Sequence, residues 1–166
     1  MKVAIFFGSI SDKSIMKITA EVLHKFNISY KSYVISAHRL PDILSNTIKK
    51  IESEGTEVII AGAGLSAHLP GFISSKTILP VIGIPIHCSN NNNYGSLGGI
   101  DALISMVQMP KDVPVATVGI NNSYNAALFA IHILAIKYKN IRKLLIEFKM
   151  KNKEKFITEI KQHLLS

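Results

Sequence analysis

Near its start the chain reads Val3-Ala4-Ile5-Phe6-Phe7-Gly8-Ser9-Ile10-Ser11-Asp12, an unbroken apolar run followed by a short polar loop. An apolar run without alternation is typical of a strand that is buried on both faces of a parallel sheet. An amphipathic helix is predicted directly after it, over residues 13–26, because Ile15, Ile18, Val22 and Phe26 recur at helical spacing. This stretch therefore predicts a β/α unit.

The same alternation of apolar runs and amphipathic stretches continues along the chain. The predicted strands are residues 3–7, 30–35, 57–61, 81–85 and 113–118, and the predicted helices are residues 13–26, 41–51, 67–75, 100–106 and 123–138. Repeated β/α units with continuous apolar strands imply a parallel sheet covered on both faces. The predicted fold class is α/β: a three-layer α/β/α, flavodoxin-like Rossmann variant with a five-stranded parallel sheet and a C-terminal helical extension.

The chain has 166 residues, of which 48% are hydrophobic, which suits one compact domain with a real core. We expect a catalytic α/β domain over residues 1–140 and an amphipathic helix over residues 141–166, packed on that domain or on a neighbouring subunit. Cys88 is the single cysteine, which excludes an intrachain disulfide and a thiolate metal cluster. The first apolar run is too short to span a membrane and lacks a cleavage pattern, so we expect a cytoplasmic protein.

The net charge of +8 is concentrated at the C-terminal end of the chain. From Lys137 onward there are nine Lys or Arg and three Glu, which leaves a net charge of only +2 on the first 136 residues. Apolar residues in this tail recur at steps of three and four, with lysines between them: Ile141, Leu144, Leu145, Phe148, Ile157, Ile160 and Leu164. This pattern favours a packing helix with a solvated outer face. A helix that binds nucleic acid or a membrane surface is the alternative.

The loop at residues 8–12 lies between the first strand and the first helix. Free backbone N–H groups and the helix dipole attract a phosphate at such a position, and the Ser9 and Ser11 hydroxyls add donors. Asp12 has the wrong charge for a phosphate and suits a ribose hydroxyl. Neither the dinucleotide-binding pattern G-x-G-x-x-G nor the Walker pattern G-x-x-x-x-G-K-[ST] is present. The alternative is that Ser11 or Asp12 only caps the helix.

Two further loops each place a histidine after a predicted strand: Ser36-Ala37-His38-Arg39-Leu40-Pro41-Asp42 and Gly62-Ala63-Gly64-Leu65-Ser66-Ala67-His68-Leu69-Pro70-Gly71. In an open parallel sheet these loops line the edge where ligands bind, and a histidine there exchanges protons near neutral pH. The Arg39 guanidinium suits a phosphate, and His38 suits general acid–base work. The small residues of the second loop allow a flat ligand to approach the backbone. The alternative is a histidine bonded to a backbone carbonyl beside a surface arginine.

Five motifs occur in order from about Val3 to Tyr138: G-S-x-S-D, S-A-H-R-x-P-D, A-G-A-G-x-x-A-H-L-P-G, L-P-V-I-G-I-P, and I-x-M-V-Q-M-P followed by V-P-V-A-T-V. Together they resemble the catalytic subunit family of phosphoribosylaminoimidazole carboxylase, and within it the bacterial and fungal 5-(carboxyamino)imidazole ribonucleotide mutases of purine biosynthesis. The animal-type members use carbon dioxide directly, and they carry a lysine after S-A-H and a G-R-S-N segment. Arg39 and Gly62-Ala63-Gly64 therefore favour the mutase branch, with the direct carboxylase as the alternative.

The resemblance implies a role for each matched position. His38 corresponds to the general acid/base; Ser9, Ser11 and Arg39 to the 5′-phosphate site; Asp12 to the ribose site; and Ser36, Ala37, Gly64, His68 and Leu69 to positions around the imidazole and its carboxylate. Leu65 belongs to the predicted binding set, although Leu65-Ser66 stands where the family usually has Gly-Ala. The implied reaction moves a carboxylate from the exocyclic nitrogen to ring carbon four without metal, ATP or organic cofactor.

The remaining expectations concern assembly and alternatives. The predicted helix at residues 123–138 is apolar nearly all round, which indicates subunit contacts, and the resemblance implies a homo-octamer whose sites are completed by neighbours. A functional link to a separate ATP-dependent synthetase is also implied. Residues 90–95 are interpreted as an insertion, and the other histidines and Cys88 as structural or incidental. A flavodoxin-type nucleotide or flavin module and, from the tail charge alone, a nucleic-acid-binding protein remain as alternative functions.

Overall fold

A computed structural model describes residues 1–87 and 97–164, without the side chain of Leu164. The predicted insertion at residues 90–95 and Cys88 lie outside the described residues. The strands are β1 (Val3–Phe7), β2 (Tyr30–Val34), β3 (Val58–Gly64), β4 (Val81–Ile86) and β5 (Ala116–Thr117). The helices are α1 (Lys13–Lys25), α2 (Pro41–Ser53), α3 (Leu69–Ser74), α4 (Ile100–Val107), α5 (Ser123–Lys137) and α6 (Lys139–Leu164), and a 3-10 turn (Ile10–Asp12) precedes α1.

The five strands form one parallel sheet in the order β2-β1-β3-β4-β5. Alternate side chains of β1 enter two separate cores, because successive residues of a strand point to opposite faces. Val3, Ile5 and Phe7 pack with α1, α5 and the start of α6, whereas Ala4 and Phe6 pack with α2, α3 and α4. The predicted three-layer α/β/α fold is therefore confirmed.

β4 ends one residue later than predicted, at Ile86, and three other strands differ more from their predicted form. β3 continues to Gly64 because β4 pairs with it that far, with Ile86 beside Gly64, whereas the pairing with β1 ends at Phe7 beside Gly62. β5 is only Ala116–Thr117, since the preceding Pro114 has no N–H to donate to a neighbouring strand. β2 lies at the edge of the sheet and is largely exposed, so it is not a strand buried on both faces.

The C-terminal helix α6 packs on the domain only through its first half. Ile141 and Leu145 are buried against α5, and the Phe148 ring meets the Phe26 ring edge-on at 5.3 Å between centroids. Farther along, Ile160 is 56% exposed and Phe156 is also exposed. The apolar stripe predicted for this tail is therefore covered within one protomer only over its first turns. None of the helices in the described ranges is long and apolar enough to cross a membrane.

The long helix α5 is apolar on more than the side that faces the sheet. Ala127, Ala130 and Ile131 are fully buried in the core. On the opposite side Ile136 is 84% exposed and Phe129 is also exposed. An apolar side chain exposed this far is a candidate for contact with another chain.

Glu57, which directly precedes β3, joins three elements at the end of the sheet where the strands begin. Its carboxylate accepts a hydrogen bond from the Tyr138 hydroxyl, and Lys2 Nζ and Lys137 Nζ lie 3.4 Å and 3.3 Å from it. Burial acts to raise the pKa of Glu57, but the hydrogen bonds from Tyr138, Lys137 and Lys2 outweigh it, so this pKa lies below its ordinary value. The ionised form is therefore the one that stabilises the fold.

We expect Glu57→Gln to lower the free energy of unfolding at pH 7, because it removes the charge that Lys2 and Lys137 contact. The expected decrease is only about 1 kcal/mol, since the group is only partly buried. A lowered pKa in the folded state contributes stability that is present above the ordinary value of 4.5 and is lost as the pH falls through the folded value. Urea unfolding at pH 7 and below pH 4.5 measures this difference. A variant that is equally destabilised at both pH values would contradict the electrostatic account.

Candidate active site

The candidate site is a cleft of about 290 Å³ at the carboxyl ends of β1, β2 and β3. Phe7 at the end of β1 lies beside Val34 of β2 and Gly62 of β3, so the loops after these strands are neighbours. The lining includes all eleven residues predicted for the site: Ser9, Ser11, Asp12, Ser36, Ala37, His38, Arg39, Gly64, Leu65, His68 and Leu69. The sequence analysis missed Gly8, Ala63 and Ser66 as lining residues, although they lie within the same motifs.

The serine loop after β1 forms a compact network around one buried carboxylate. The Ser9 hydroxyl accepts a hydrogen bond from the Ser11 backbone N–H at 3.3 Å and so caps the 3-10 turn. The Ser11 hydroxyl lies 2.8 Å from Ser9 Oγ and 3.2 Å from Asp12 Oδ1. Asp12 stands at the start of α1 without a capping hydrogen bond from its side chain. Capping of α1 by Ser11 or Asp12, the alternative from the sequence, is not observed: the Asp12 side chain makes no capping bond, and the side-chain cap in this loop is that of Ser9 on the 3-10 turn.

Asp12 is only 5% exposed, although it lines the cleft. Burial raises the pKa of the Asp12 carboxyl, and hydrogen bonds with Ser11 and the Ser9 backbone partly offset that rise. A buried carboxylate with acceptor capacity to spare is suited to hydroxyl donors of a ligand. The geometry is thus compatible with the ribose hydroxyls to which this position was assigned.

Two histidines from different loops contact each other directly across the cleft. His38 Nε2 lies 2.9 Å from His68 Nδ1, and the two rings stand nearly perpendicular at 87°. His38 is held in a turn that the Leu40 N–H closes on the Ser36 carbonyl at 2.9 Å. The His68 N–H donates to the Ser66 carbonyl at 2.7 Å, and the His68 carbonyl accepts from Phe72 in α3. Both imidazoles are exposed to the cleft, where a substrate can reach them.

This contact argues against the alternative in which the His38 side chain is bonded to a backbone carbonyl. The hydrogen-bond partner of His38 is the imidazole of His68, which acts as donor or acceptor according to the tautomer. Sequence spacing gives no signal for this contact, since thirty residues separate the two histidines. The remaining histidines, His24, His87, His132 and His163, do not line the cleft.

Gly62 in the third loop does not serve the close approach of a ligand that was predicted for this loop. A Cβ on Gly62 would lie 2.4 Å from Met16 Sδ and 2.9 Å from Ile86 Cδ1, so this glycine makes room for the core below the cleft. Gly64 does line the cleft, where the sequence placed it. Leu65 follows with a φ of +54°, which leucine rarely adopts. In the described part of the chain no three His, Cys, Asp or Glu side chains lie together as a metal-binding group would require.

An open parallel sheet with hydroxyl, guanidinium, carboxylate and paired imidazole groups in one cleft at its carboxyl edge defines an α/β enzyme of small polar substrates. The family model described as AIR carboxylase matches residues 2–155. The chain belongs to this family.

Two relatives that are similar over nearly the whole chain carry the same name. The N5-carboxyaminoimidazole ribonucleotide mutase of Thermotoga maritima is 48% identical over 156 residues, covering 94% of this chain and 88% of that protein. The protein of the same name from Pyrococcus horikoshii is 48% identical, covering 95% and 85%. The crystal structure of Treponema denticola PurE superimposes with a TM-score of 0.85 at 27% identity, covering 96% of each chain.

Proposed function

We propose that this chain is an N5-carboxyaminoimidazole ribonucleotide mutase, which moves the carboxylate from the exocyclic nitrogen to ring carbon four in purine biosynthesis. The product is 4-carboxy-5-aminoimidazole ribonucleotide. The relatives named for this isomerisation, similar over nearly the whole chain, support the assignment. The observation that carries it is the His38–His68 contact at 2.9 Å in a cleft that also holds hydroxyl, guanidinium and carboxylate groups.

The substrate is proposed to enter with its phosphate toward the serine loop and Arg39. The exposed Arg39 guanidinium and the Ser9 and Ser11 hydroxyls supply donors at the phosphate end. The buried Asp12 carboxylate accepts from the ribose hydroxyls. The aminoimidazole then lies toward Ser36, Ala37, Gly64, His68 and Leu69. This orientation brings the reacting nitrogen and carbon to His38.

The chemistry needs two proton transfers and one confined fragment. The carbamate N–C bond breaks, carbon dioxide departs, and the exocyclic nitrogen receives a proton. Ring carbon four then attacks carbon dioxide, and His38 takes the proton from that carbon, so no net proton is consumed. One imidazole serves as acid and then as base, and His68 fixes its orientation through their hydrogen bond. Confinement makes recombination effectively unimolecular.

Assembly and location complete the proposal. The exposed Ile136 and Phe129 of α5, together with the exposed apolar side chains near the end of α6, support subunit contacts. We propose a homo-octamer in which a neighbouring subunit completes each cleft. We further propose that the enzyme acts in the cytoplasm and has no nucleic-acid or membrane partner. In this proposal a separate ATP-dependent synthetase supplies its labile substrate.

We expect the purified protein to convert the carbamate nucleotide in an ultraviolet assay, and to keep most of a ¹³C label from the carbamate carbon in excess unlabelled bicarbonate. Once the substrate fills the cleft, carbon dioxide is retained between cleavage and recapture because the substrate displaces water from it. Mass spectrometry of the product measures the retained label. Complete loss of label would favour the direct carbon dioxide-dependent carboxylase.

A further inference from the structure

We propose that the groove between α5 and α6 binds a phosphate monoester, with its phosphate group held by His132, Arg142 and Lys149. The groove has a volume of about 400 Å³, which is within the range of small-molecule sites. Seven residues line it: His132, Ala135, Ile136, Arg142, Leu145, Ile146 and Lys149. None of them lines the cleft at the carboxyl edge of the sheet, so binding in the groove is independent of the proposed mutase reaction.

The groove carries positive charge without a compensating carboxylate. Arg142 and Lys149 are seven residues apart on α6, which is two helical turns, so both side chains lie on the face that lines the groove. Neither makes an ion pair with an Asp or Glu in the described part of the chain. Glu147, the acidic residue closest to Lys149 along α6, lines a different cavity beside Phe26 and Tyr124. An anionic ligand supplies the missing negative charge.

His132 is the third group of the groove that can carry positive charge. It extends from α5, whereas the other two cationic groups extend from α6. Partial burial and the Lys149 ammonium hold the pKa of His132 below its ordinary value of 6.5, so the imidazole is largely neutral at pH 7. A bound anion raises this pKa, because it favours the charged imidazole. The loaded groove then presents imidazolium, guanidinium and ammonium donors, which suit phosphate oxygens.

The apolar part of the lining favours a phosphate monoester over the free ion. Ala135 and Leu145 are buried, whereas Ile136 and Ile146 are exposed beside the cationic groups. An apolar group attached to the phosphate can cover these two isoleucines, and the apolar surface that leaves water adds to the affinity. Phenyl phosphate is a simple probe of this chemistry, since it joins one phosphate to one flat apolar ring.

The test measures the binding of phenyl phosphate to the full chain by isothermal titration calorimetry, with inorganic phosphate and phenol as comparison ligands. Every chain carries Arg39→Gln, so that the phosphate donor of the cleft does not obscure the groove. We expect phenyl phosphate to bind about tenfold more tightly than inorganic phosphate, because a small apolar group contributes that much in a pocket. Phenol lacks the charge and should show no saturable binding.

Arg142→Gln with Lys149→Gln removes two of the three charged donors of the groove. We expect this double variant to lower the affinity for phenyl phosphate at least about tenfold, the effect of losing a hydrogen bond to a charged group. Lys139→Gln with Lys143→Gln is the matched control, since it removes the same charge from exposed positions of α6 that do not line the groove. Its affinity should stay near that of the unmodified groove. An equal loss in both double variants would overturn the proposal, because it would show a general attraction to the basic helix.

A carboxylate of a second copy is the alternative occupant of the groove, since the exposed Ile136 is also a candidate for contact with another chain. In that case the unmodified groove would take up no phenyl phosphate, and Arg142→Gln with Lys149→Gln would lower the oligomeric state measured by light scattering. That result would overturn the phosphate site. Phenol that saturates the groove as tightly as phenyl phosphate would also overturn it. Uptake of phenyl phosphate that raises the pKa of His132, followed by NMR of ¹³C-labelled histidine, would support it.

Discussion

His38→Asn is expected to lower turnover of the carbamate nucleotide by at least about a hundredfold, the lower range for loss of a general acid–base group. His38 is exposed in the cleft, and its side chain contacts His68, so the substitution removes no buried packing. Asparagine keeps a hydrogen-bonding side chain but does not exchange protons near neutral pH. The melting temperature and the affinity for the product nucleotide should therefore stay close to those of the unmodified chain.

His24→Asn provides the matched control for this prediction. His24 is an exposed histidine on α1 that does not line the cleft. Steady-state assays of both variants, with thermal unfolding and nucleotide titration, separate a chemical defect from a folding defect. Near-normal turnover of the His38 variant would remove His38 from the mechanism. A parallel loss in the His24 variant would show that the effect is not specific to the cleft.

Truncation after Tyr138 has the second large expected effect, on stability. It removes Ile141 and Leu145 from the core and the Phe148 ring from its contact with Phe26. Each such buried side chain contributes about 1.5–3 kcal/mol, so their loss takes several kcal/mol from a total of about 5–15 kcal/mol. We expect a chain that is largely unfolded or insoluble at 37 °C, as measured by circular dichroism and sedimentation of the expressed protein.

Truncation after Met150 is the matched control for the truncation after Tyr138. It keeps the buried first half of α6 and removes only turns whose apolar side chains, such as Ile160, are exposed in one protomer. Its thermal unfolding midpoint should stay close to that of the full chain, with only the helical circular dichroism signal of residues 151–164 lost. Light scattering then reports whether the exposed turns join subunits. Equal stability of both truncations would contradict the contribution assigned to the first half of α6.

The fold was predictable from sequence because its strands are short apolar runs at regular separations. The run at Val3–Phe7 matches the observed strand at both ends. The end of β3 was not predictable, since Ala63 and Gly64 have low strand preference and belong to β3 because β4 extends beside them. The exposure of β2 depends on strand order, which the local pattern does not contain.

The gathering of the candidate residues in one cleft was predictable, but the geometry within that cleft was not. Motifs placed the polar residues on loops that a parallel sheet gathers at one edge. The direct contact of His38 with His68 depends on the relative position of two loops, which no local sequence pattern predicts. The left-handed φ of Leu65 was equally hidden, because leucine is a poor signal for such a conformation.

The position of β1 in the sheet affects how the chain is made. β1 is synthesised before both of its partners, since it pairs with β2 on one side and with β3 on the other. Val3, Ile5 and Phe6 are fully buried in the finished protein, but their second edge stays open until residues 58–62 have been synthesised. A nascent chain that stalls before that point carries an apolar strand with an unpaired edge, and such edges invite aggregation. A strand that is buried along its whole length is thus also one that depends on uninterrupted translation.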